Sequence, residues 1–322
     1  MNLGGPDSLG AVRSFLYNLF SDAAIIGLPA VLRLPLAWLI AVRRSRIARD
    51  IYAQLGGFSP LLANTQAQAH ALEAELGAGC RCFIAMRYWY PMAAVTVGAV
   101  KLWQPDEIIL LPLYPQYSTT TTASSIAAWQ REATRQGLSA TIRIVRSYPV
   151  VPGFITALAG TIGDALDAAE AEGTPVRLLF SAHGLPLKIV RAGDPYPQEV
   201  KRTATAVVQA LGRPALDWRL CYQSRVGPLA WLRPSLEEEL HQAGRDGVAV
   251  VVAPISFVSE HAETLVELDQ DYRRVAEVCG VPRYRRVATV GTDPRFIAAL
   301  AELVHGAEQT NAAAKEPAGA SS

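Results

Sequence analysis

His183 closes an apolar run, Val176 to Ser181, and is followed by the turn formers Gly184, Leu185 and Pro186. Imidazole accepts a proton near neutral pH and also ligates metals. At the end of a strand it either faces a cleft or simply hydrogen-bonds the backbone, and the residues alone leave both readings open. A second group follows the apolar run Val248 to Phe257, where Glu260, His261, Glu263, Glu267 and Asp271 lie close together. If this stretch is helical, Glu263, Glu267 and Asp271 recur at i, i+4 and i+8 and share one face. Leu265, Leu268, Tyr272 and Val275 then form a face that can bury. Acidic residues near a helix start are favoured by its dipole, so a solvated acidic face is the plainer reading. Like charges at this spacing are mildly destabilising, however, and a carboxylate row leading away from a histidine suits the movement of hard cations or protons.

Two further groups are less specific. Tyr114, Tyr117, Ser118 and Thr119 to Thr122 follow the run Glu107 to Leu113. Such a polar loop holds a carboxylate-bearing ligand or caps a helix. Arg43, Arg44 and Arg46 precede Gly56, Gly57, Phe58, Ser59 and Pro60. The arginine fork suits carboxylates, and a solvated charge run is the alternative.

These groups need elements to position them. Apolar runs at Cys82–Met86, Glu107–Leu113, Thr141–Ser147, Val176–Ser181, Val248–Phe257 and Arg286–Val290 read as strands. Helical patterns lie between them at Ala67–Leu76, Ser125–Gln136, Val151–Ala171, Pro197–Leu211 and Ser235–Ala243. This alternation predicts βαβ units with parallel sheets, and the lack of polar alternation within the strands fits sheets covered on both faces. Ligands then sit beyond the carboxyl ends of the strands. A second α/β unit begins near Gly173–Pro175. We expect one domain over residues 1–150, another over 151–305, and a disordered tail over 306–322, which is rich in Ala, Gly and polar residues.

The bulk numbers exclude several classes. The chain has 322 residues, and 30 Lys and Arg balance 29 Asp and Glu for a net charge of +1. That balance gives no general grip on nucleic acid. The four cysteines form no CxxC pair or zinc pattern and read as reduced thiols. No secretory signal is visible after Met1. The apolar stretch Phe15 to Val42 is interrupted by Asp22, Pro29, Arg33 and Pro35, so it is not a membrane span. It is either ordinary buried helix or a surface that touches a membrane or a ligand. Neither a Walker loop nor a dinucleotide fingerprint is present.

Taken together, the motifs resemble the ferrochelatase family. They are NLGGPDSLGAVRSFLYNLFSD near the start, LGGFSPL at Leu55–Leu61, MRYWYP at Met86–Pro91 and LYPQYS at Leu113–Ser118. LLFSAHGLP at Leu178–Pro186, GDPYPQEV at Gly193–Val200, YQSRVGPLAWLRP at Tyr222–Pro234 and FVSEHAETLVELD at Phe257–Asp269 follow. The resemblance spans about residues 1 to 305, and SAHGLP, GDPYPQE and EHAETLVELD in this order make it specific. It implies a chelatase-like α/β fold of two similar Rossmann-like domains, each a four-stranded parallel sheet flanked by helices. A porphyrin cleft lies between them. It implies the final step of haem biosynthesis, insertion of Fe²⁺ into protoporphyrin IX, by a lyase.

By the same resemblance, His183 and Glu263 form the catalytic and iron site, His183 as base and Glu263 as metal or proton relay. Glu260 and His261 sit beside Glu263, and Glu267 and Asp271 continue the acidic row. Tyr88, Tyr114, Trp231 and Phe257 line the cleft. Arg43, Arg44 and Ser59 hold the porphyrin propionates, with Tyr52 among the substrate-binding positions. The apolar segment after Asn18 matches the lip of the cleft, which implies a cytoplasmic protein with peripheral contact to the inner membrane, as a monomer or homodimer.

No cofactor is expected beyond the substrate Fe²⁺. Some members bind a [2Fe–2S] cluster through cysteines near the C-terminus, and this tail has none. Glu260 stands where many relatives have aspartate. Relatives also carry an apolar first strand before NLGGP, so a start assigned too late is expected here. The rival readings are a coproporphyrin or other tetrapyrrole chelatase, and a non-catalytic haem-binding protein, which would have no use for the acidic row.

Overall fold

Residues 1–309, other than Val226 and Pro228, are described by the structure, a computed structural model. The first half contains helices α1 (Val12–Phe20), α2 (Ala30–Gln54), α3 (Leu61–Leu76) and α4 (Ala93–Trp103). Strand β1 (Glu107–Leu110), a π-helical turn (Thr119–Ala123), helix α5 (Ser124–Gln136) and strand β2 (Thr141–Ile144) complete it. The second half runs α6 (Pro152–Glu170), β3 (Val176–His183), α7 (Leu187–Arg191), α8 (Tyr196–Leu211), β4 (Asp217–Gln223), α9 (Leu236–Asp246) and β5 (Ala249–Pro254). A π-helix (Glu263–Asp271), α10 (Tyr272–Val278), β6 (Tyr284–Arg286) and α11 (Pro294–Gln309) end it.

The second-half sheet has the order β4-β3-β5-β6 and is parallel throughout. Every residue of β5 is buried, and six of the eight in β3 are, as expected for strands covered on both faces. One face packs on α6, α8 and α11 through Phe154, Ile162, Leu166, Phe180, Val200 and Phe296. The other packs on α9 and α10 through Leu179, Leu236, Leu240 and Val252. Local sequence punctuates these helices clearly. Ser235 and Glu238 form a reciprocal capping box at the start of α9, and Gly247 ends it in the left-handed region at φ 66°.

The first-half sheet is smaller than expected. Only β1 and β2 form a ladder, also parallel. Cys82–Met86, predicted as a strand, is extended but makes only isolated bridges from Met86 to Asn2 and to Met92. Residues 1–3 lie in the slot between this segment and the end of β1. The Asn2 amide donates to Ala85 O at 3.1 Å and Arg87 N to Asn2 O at 2.9 Å, while Leu113 N donates to Met1 O at 2.8 Å. These contacts remain isolated bridges, so among the described residues the expected four strands reduce to two. In the second half, β6 likewise covers Tyr284–Arg286 rather than Arg286–Val290. At the far end, Gly306 to Gln309 belong to α11, so this part of the predicted tail is helical. The rest of it, 310–322, lies outside the described residues.

Helix α2 explains the interrupted apolar stretch. It carries Pro35 inside and buries only Ala37, Ala41 and Tyr52. Val31 is 80% exposed, Leu32 59% and Trp38 58%, so most of its apolar side chains face outward. No described helix is long and apolar enough to cross a membrane.

Candidate active site

The strand order changes direction between β3 and β5, because β4 lies to one side of β3 while β5 and β6 lie to the other. Ligand crevices of open parallel sheets form beyond the carboxyl ends of strands at such a switch point. His183 is the last residue of β3, and the segment leaving β5 leads through Phe257 to Glu263 at the start of the π-helix. The two chemical groups, far apart in the chain, thus leave adjacent strands at one sheet edge.

His183 Nδ1 lies 3.0 Å from Glu263 Oε2, with the side chains 41% and 31% exposed. His261 Nε2 approaches the same oxygen at 3.7 Å. Phe257 stands edge-on to both imidazoles, with ring centroids 6.4 Å from His183 and 4.6 Å from His261. Desolvation alone would raise the Glu263 pKa, but the charge and hydrogen bond of His183, and then those of His261, hold it well below the usual carboxylate range. Desolvation alone would lower the His183 pKa, and the Glu263 charge outweighs it, so His183 is raised.

The next carboxylate behaves oppositely. Glu267 is raised, first by burial and then by the negative charge of Glu263. It is gripped by Ser224, whose backbone N–H donates to Oε1 at 2.8 Å and whose Oγ donates to Oε2 at 2.6 Å. Ser224 takes φ 63°, a left-handed conformation that a non-glycine residue adopts only when its surroundings hold it there. Behind it, Ser181 Oγ donates to Gln223 Oε1 at 2.7 Å, and Gln223 Nε2 reaches Glu267 at 3.4 Å. Neighbouring carboxyls pushed in opposite directions are a recurrent basis for dividing proton-transfer roles.

The acidic row is therefore real in space but not α-helical. Glu263–Asp271 is a π-helix, a rare form that recurs at functional sites. Its wider turn still brings residues four apart nearly into line. Asp271 ends the row at the surface, 3.7 Å from Arg274. Glu260 stands apart. Its Oε1 accepts from Arg286 at 2.7 Å and from Thr289 N–H at 2.8 Å, while Arg286 also grips Asp269.

The remaining predicted positions are not gathered at the pair. Tyr88 is fully buried and donates its hydroxyl to Asp22 at 2.8 Å. Asp22 also receives Arg87 at 2.7 Å and the Ser124 hydroxyl, a hub that the motif reading did not single out. Tyr52 is buried among α1 and α2, and its pKa is raised first by burial and then by the Glu263 charge, which brings this side chain into the field of the site. Ser59 is buried against Gly5, whose missing side chain leaves room for it; a Cβ there would lie 2.4 Å from Ser59 Oγ. Tyr114 Oη lies 3.5 Å from Ser125 Oγ. Trp231 packs over Gly184, next to His183, and its indole N–H has no partner among the described residues. Arg43 is exposed and Arg44 half-buried on α2, and neither forms an ion pair among the described residues.

Two depressions of about 310 Å³ and 410 Å³ lie elsewhere, around Glu172, Arg273 and Arg283 and around Gly160, Gly163 and Arg213. Neither touches His183 or Glu263. Among the described residues, no three His, Cys, Asp or Glu side chains converge as a closed metal cage.

The profile of the family described as Ferrochelatase matches residues 1–308. The chain belongs to the ferrochelatase family. A ferrochelatase of Caulobacter vibrioides is 51% identical over 308 residues, covering 94% of this chain and 87% of that relative. One from Phenylobacterium zucineum is 52% identical over 318 residues, covering 97% and 91%. One from Wolbachia sp. subsp. Drosophila simulans is 51% identical over 306 residues, covering 94% and 96%. In solved structures the fold is similar to SirB from Bacillus subtilis with Fe3+, at a TM-score of 0.54 and 17% identity, covering 75% of this chain and 88% of that one. The chain thus has the chelatase-like α/β fold that its motifs implied, with His183 ending one central strand and Glu263 on the segment that follows the other.

Proposed function

We propose that this chain inserts Fe²⁺ into protoporphyrin IX, with His183 as proton acceptor and Glu263 as its charge partner and first relay. The contact of His183 Nδ1 with Glu263 at 3.0 Å, at the head of the row to Glu267, carries this reading. A free porphyrin gives up two pyrrole protons as the metal enters. An imidazole whose conjugate acid is stabilised by an adjacent carboxylate is a better acceptor for them. Glu267, with its raised affinity for protons, is the next station, and Asp271 at the surface is the exit.

Fe²⁺ is the substrate, and imidazole with carboxylate is a ligand set of intermediate hardness from which it can be released. No resident cofactor is needed for this chemistry. A cleft complementary to a bent macrocycle would favour the transition state over the flat ring. Glu260, engaged by Arg286, acts in this reading as an anchor at the root of the π-helix.

Arg43 and Arg44, with Ser59, are the candidate propionate holders; two charged forks free of ion pairs among the described residues support that role. The outward apolar side chains of α2, interleaved with arginines, support peripheral contact with an anionic bilayer surface and a preference for protoporphyrin, whose vinyl groups are apolar. The direct test is loss of protoporphyrin IX fluorescence on anaerobic addition of Fe²⁺, run beside coproporphyrin. Turnover with protoporphyrin is expected to be faster. No metallation of either porphyrin would sink the reading, and faster coproporphyrin turnover would reassign the substrate.

A further inference from the structure

Gln68 lies on α3 in the first half, yet every polar atom of its side chain is used on the second. It is 2% exposed. Its Nε2 donates to Val258 O and to Gly291 O, both at 2.8 Å, and its Oε1 accepts from Ser259 Oγ at 2.7 Å. One turn earlier, Asn64 Nδ2 donates to Glu260 O at 2.8 Å. An amide that satisfies three partners inside the protein has no freedom left to swing.

The segment it grips leads directly to the site. Ser259, bonded to Gln68 through its hydroxyl, offers its carbonyl to His261 Nδ1 at 3.0 Å. A carbonyl only accepts, so Nδ1 carries a proton, and Nε2 is the nitrogen turned towards Glu263, which lowers the Glu263 pKa when the ring carries its second proton there. The His261 backbone N–H is fixed as well, by Thr264 Oγ1 at 2.9 Å, and Thr264 is fully buried.

We infer that Gln68 is a positioning residue for the metal-insertion reaction: reaching across the junction of the two halves, it fixes the Ser259 peptide and through it the tautomer and aim of His261 beside Glu263. This rests on the function proposed above. Helix α3 could have been held to the second half by apolar contacts alone. A saturated amide adds a fixed direction to that attachment, and the direction propagates to one ring nitrogen.

The test uses two variants of the full chain. Gln68→Met keeps the volume and removes all three bonds. Ser259→Ala keeps both donor bonds of Gln68 and cuts only the link through Oε1, and it decides the matter if Gln68→Met does not fold. The protein has five histidines, so the imidazole nitrogens of ¹⁵N-histidine-labelled protein can be resolved, with His261 assigned by His261→Gln. Spectra are taken without metal or porphyrin, at alkaline pH where the rings are neutral. In the parent, His261 is expected wholly as the Nδ1–H form. In both variants the Nε2–H form is expected to appear, and kcat for Fe²⁺ insertion is expected to fall about 10- to 100-fold with the porphyrin KM within about threefold, the scale of a small misplacement of a reacting group.

An unchanged tautomer or an unchanged kcat in a folded variant would overturn the inference, however far its melting temperature dropped. A parent that inserts no metal would instead sink the proposed function, because the tautomer measurement needs no turnover.

Discussion

The two halves of the molecule treat the same kind of strand differently. The second half builds four parallel strands, buries them on both faces and sends His183 and the Glu263 segment out of two that touch. The first half has a two-stranded ladder and turns much of the apolar surface of α2 outward. The deeper sheet fixes the reacting groups to each other. The shallower half supplies, through Gln68 and Asn64, the ties that hold the segment leading to the π-helix. Chemistry is therefore expected to respond to the second half and to the α3 ties that hold it, and substrate capture to α2 of the first half.

The largest effect that sharpens this contrast is at His183. His183→Ala is expected to lower kcat by about 100-fold or more while protoporphyrin binding, followed by fluorescence titration, stays near the parent value. Glu263→Gln keeps the shape and removes the charge that raises the His183 pKa. A fall in kcat approaching that of His183→Ala is expected, and the imidazole resonance of His183 should titrate at lower pH than in the parent. In the first half, Arg43→Gln with Arg44→Gln is expected to raise the porphyrin KM about tenfold with kcat nearly unchanged, as for loss of a charge-assisted contact. A kcat effect larger than the KM effect would break the division between the halves.

Glu260→Gln is the internal control, three residues from Glu263 but facing Arg286. Its melting temperature is expected to fall, with kcat reduced far less than in Glu263→Gln. The smallest effect is in the pH dependence of stability. The raised His183 contributes stability that is present below its unfolded value near 6.5 and lost as pH rises through its folded value. The depressed Glu263 contributes stability that is present above its unfolded value near 4.5 and lost as pH falls. The pair is thus strongest between those limits. His183→Ala should cost more stability at pH 5.5 than at pH 8.5, by about 1 kcal/mol or less given how far both groups meet solvent. Chemical denaturation at the two pH values reads it.

Much of this was legible in the chain. The apolar runs marked β3 and β5, the fully covered strands of the second half, whereas β4 (Asp217–Gln223), with Asp217 and Arg219 at its less buried start, went unread and β6 lies ahead of the run expected for it. The first-half sheet was overread, since an apolar run such as Cys82–Met86 looks the same whether it joins a ladder or, as here, makes only isolated bridges. Glu263 and Glu267 were visible by spacing. That spacing could not distinguish a π-helix from an α-helix, nor reveal that Glu260 faces an arginine from β6. Ser224 left no mark, because its backbone conformation is imposed by distant partners. Gln68 did leave one. Leu61, Thr65, Gln68 and Leu72 occupy the buried stripe of α3, and a glutamine in that stripe asks for buried partners.

The grip of α3 on the second half also limits how the cleft can move. Its floor cannot widen near residues 258–261 without breaking several buried hydrogen bonds at once, at about 1–3 kcal/mol for each group left unpaired. Any opening between the halves is therefore expected away from the imidazoles and carboxylates, on the side where α2 turns Val31, Leu32 and Trp38 to the surface.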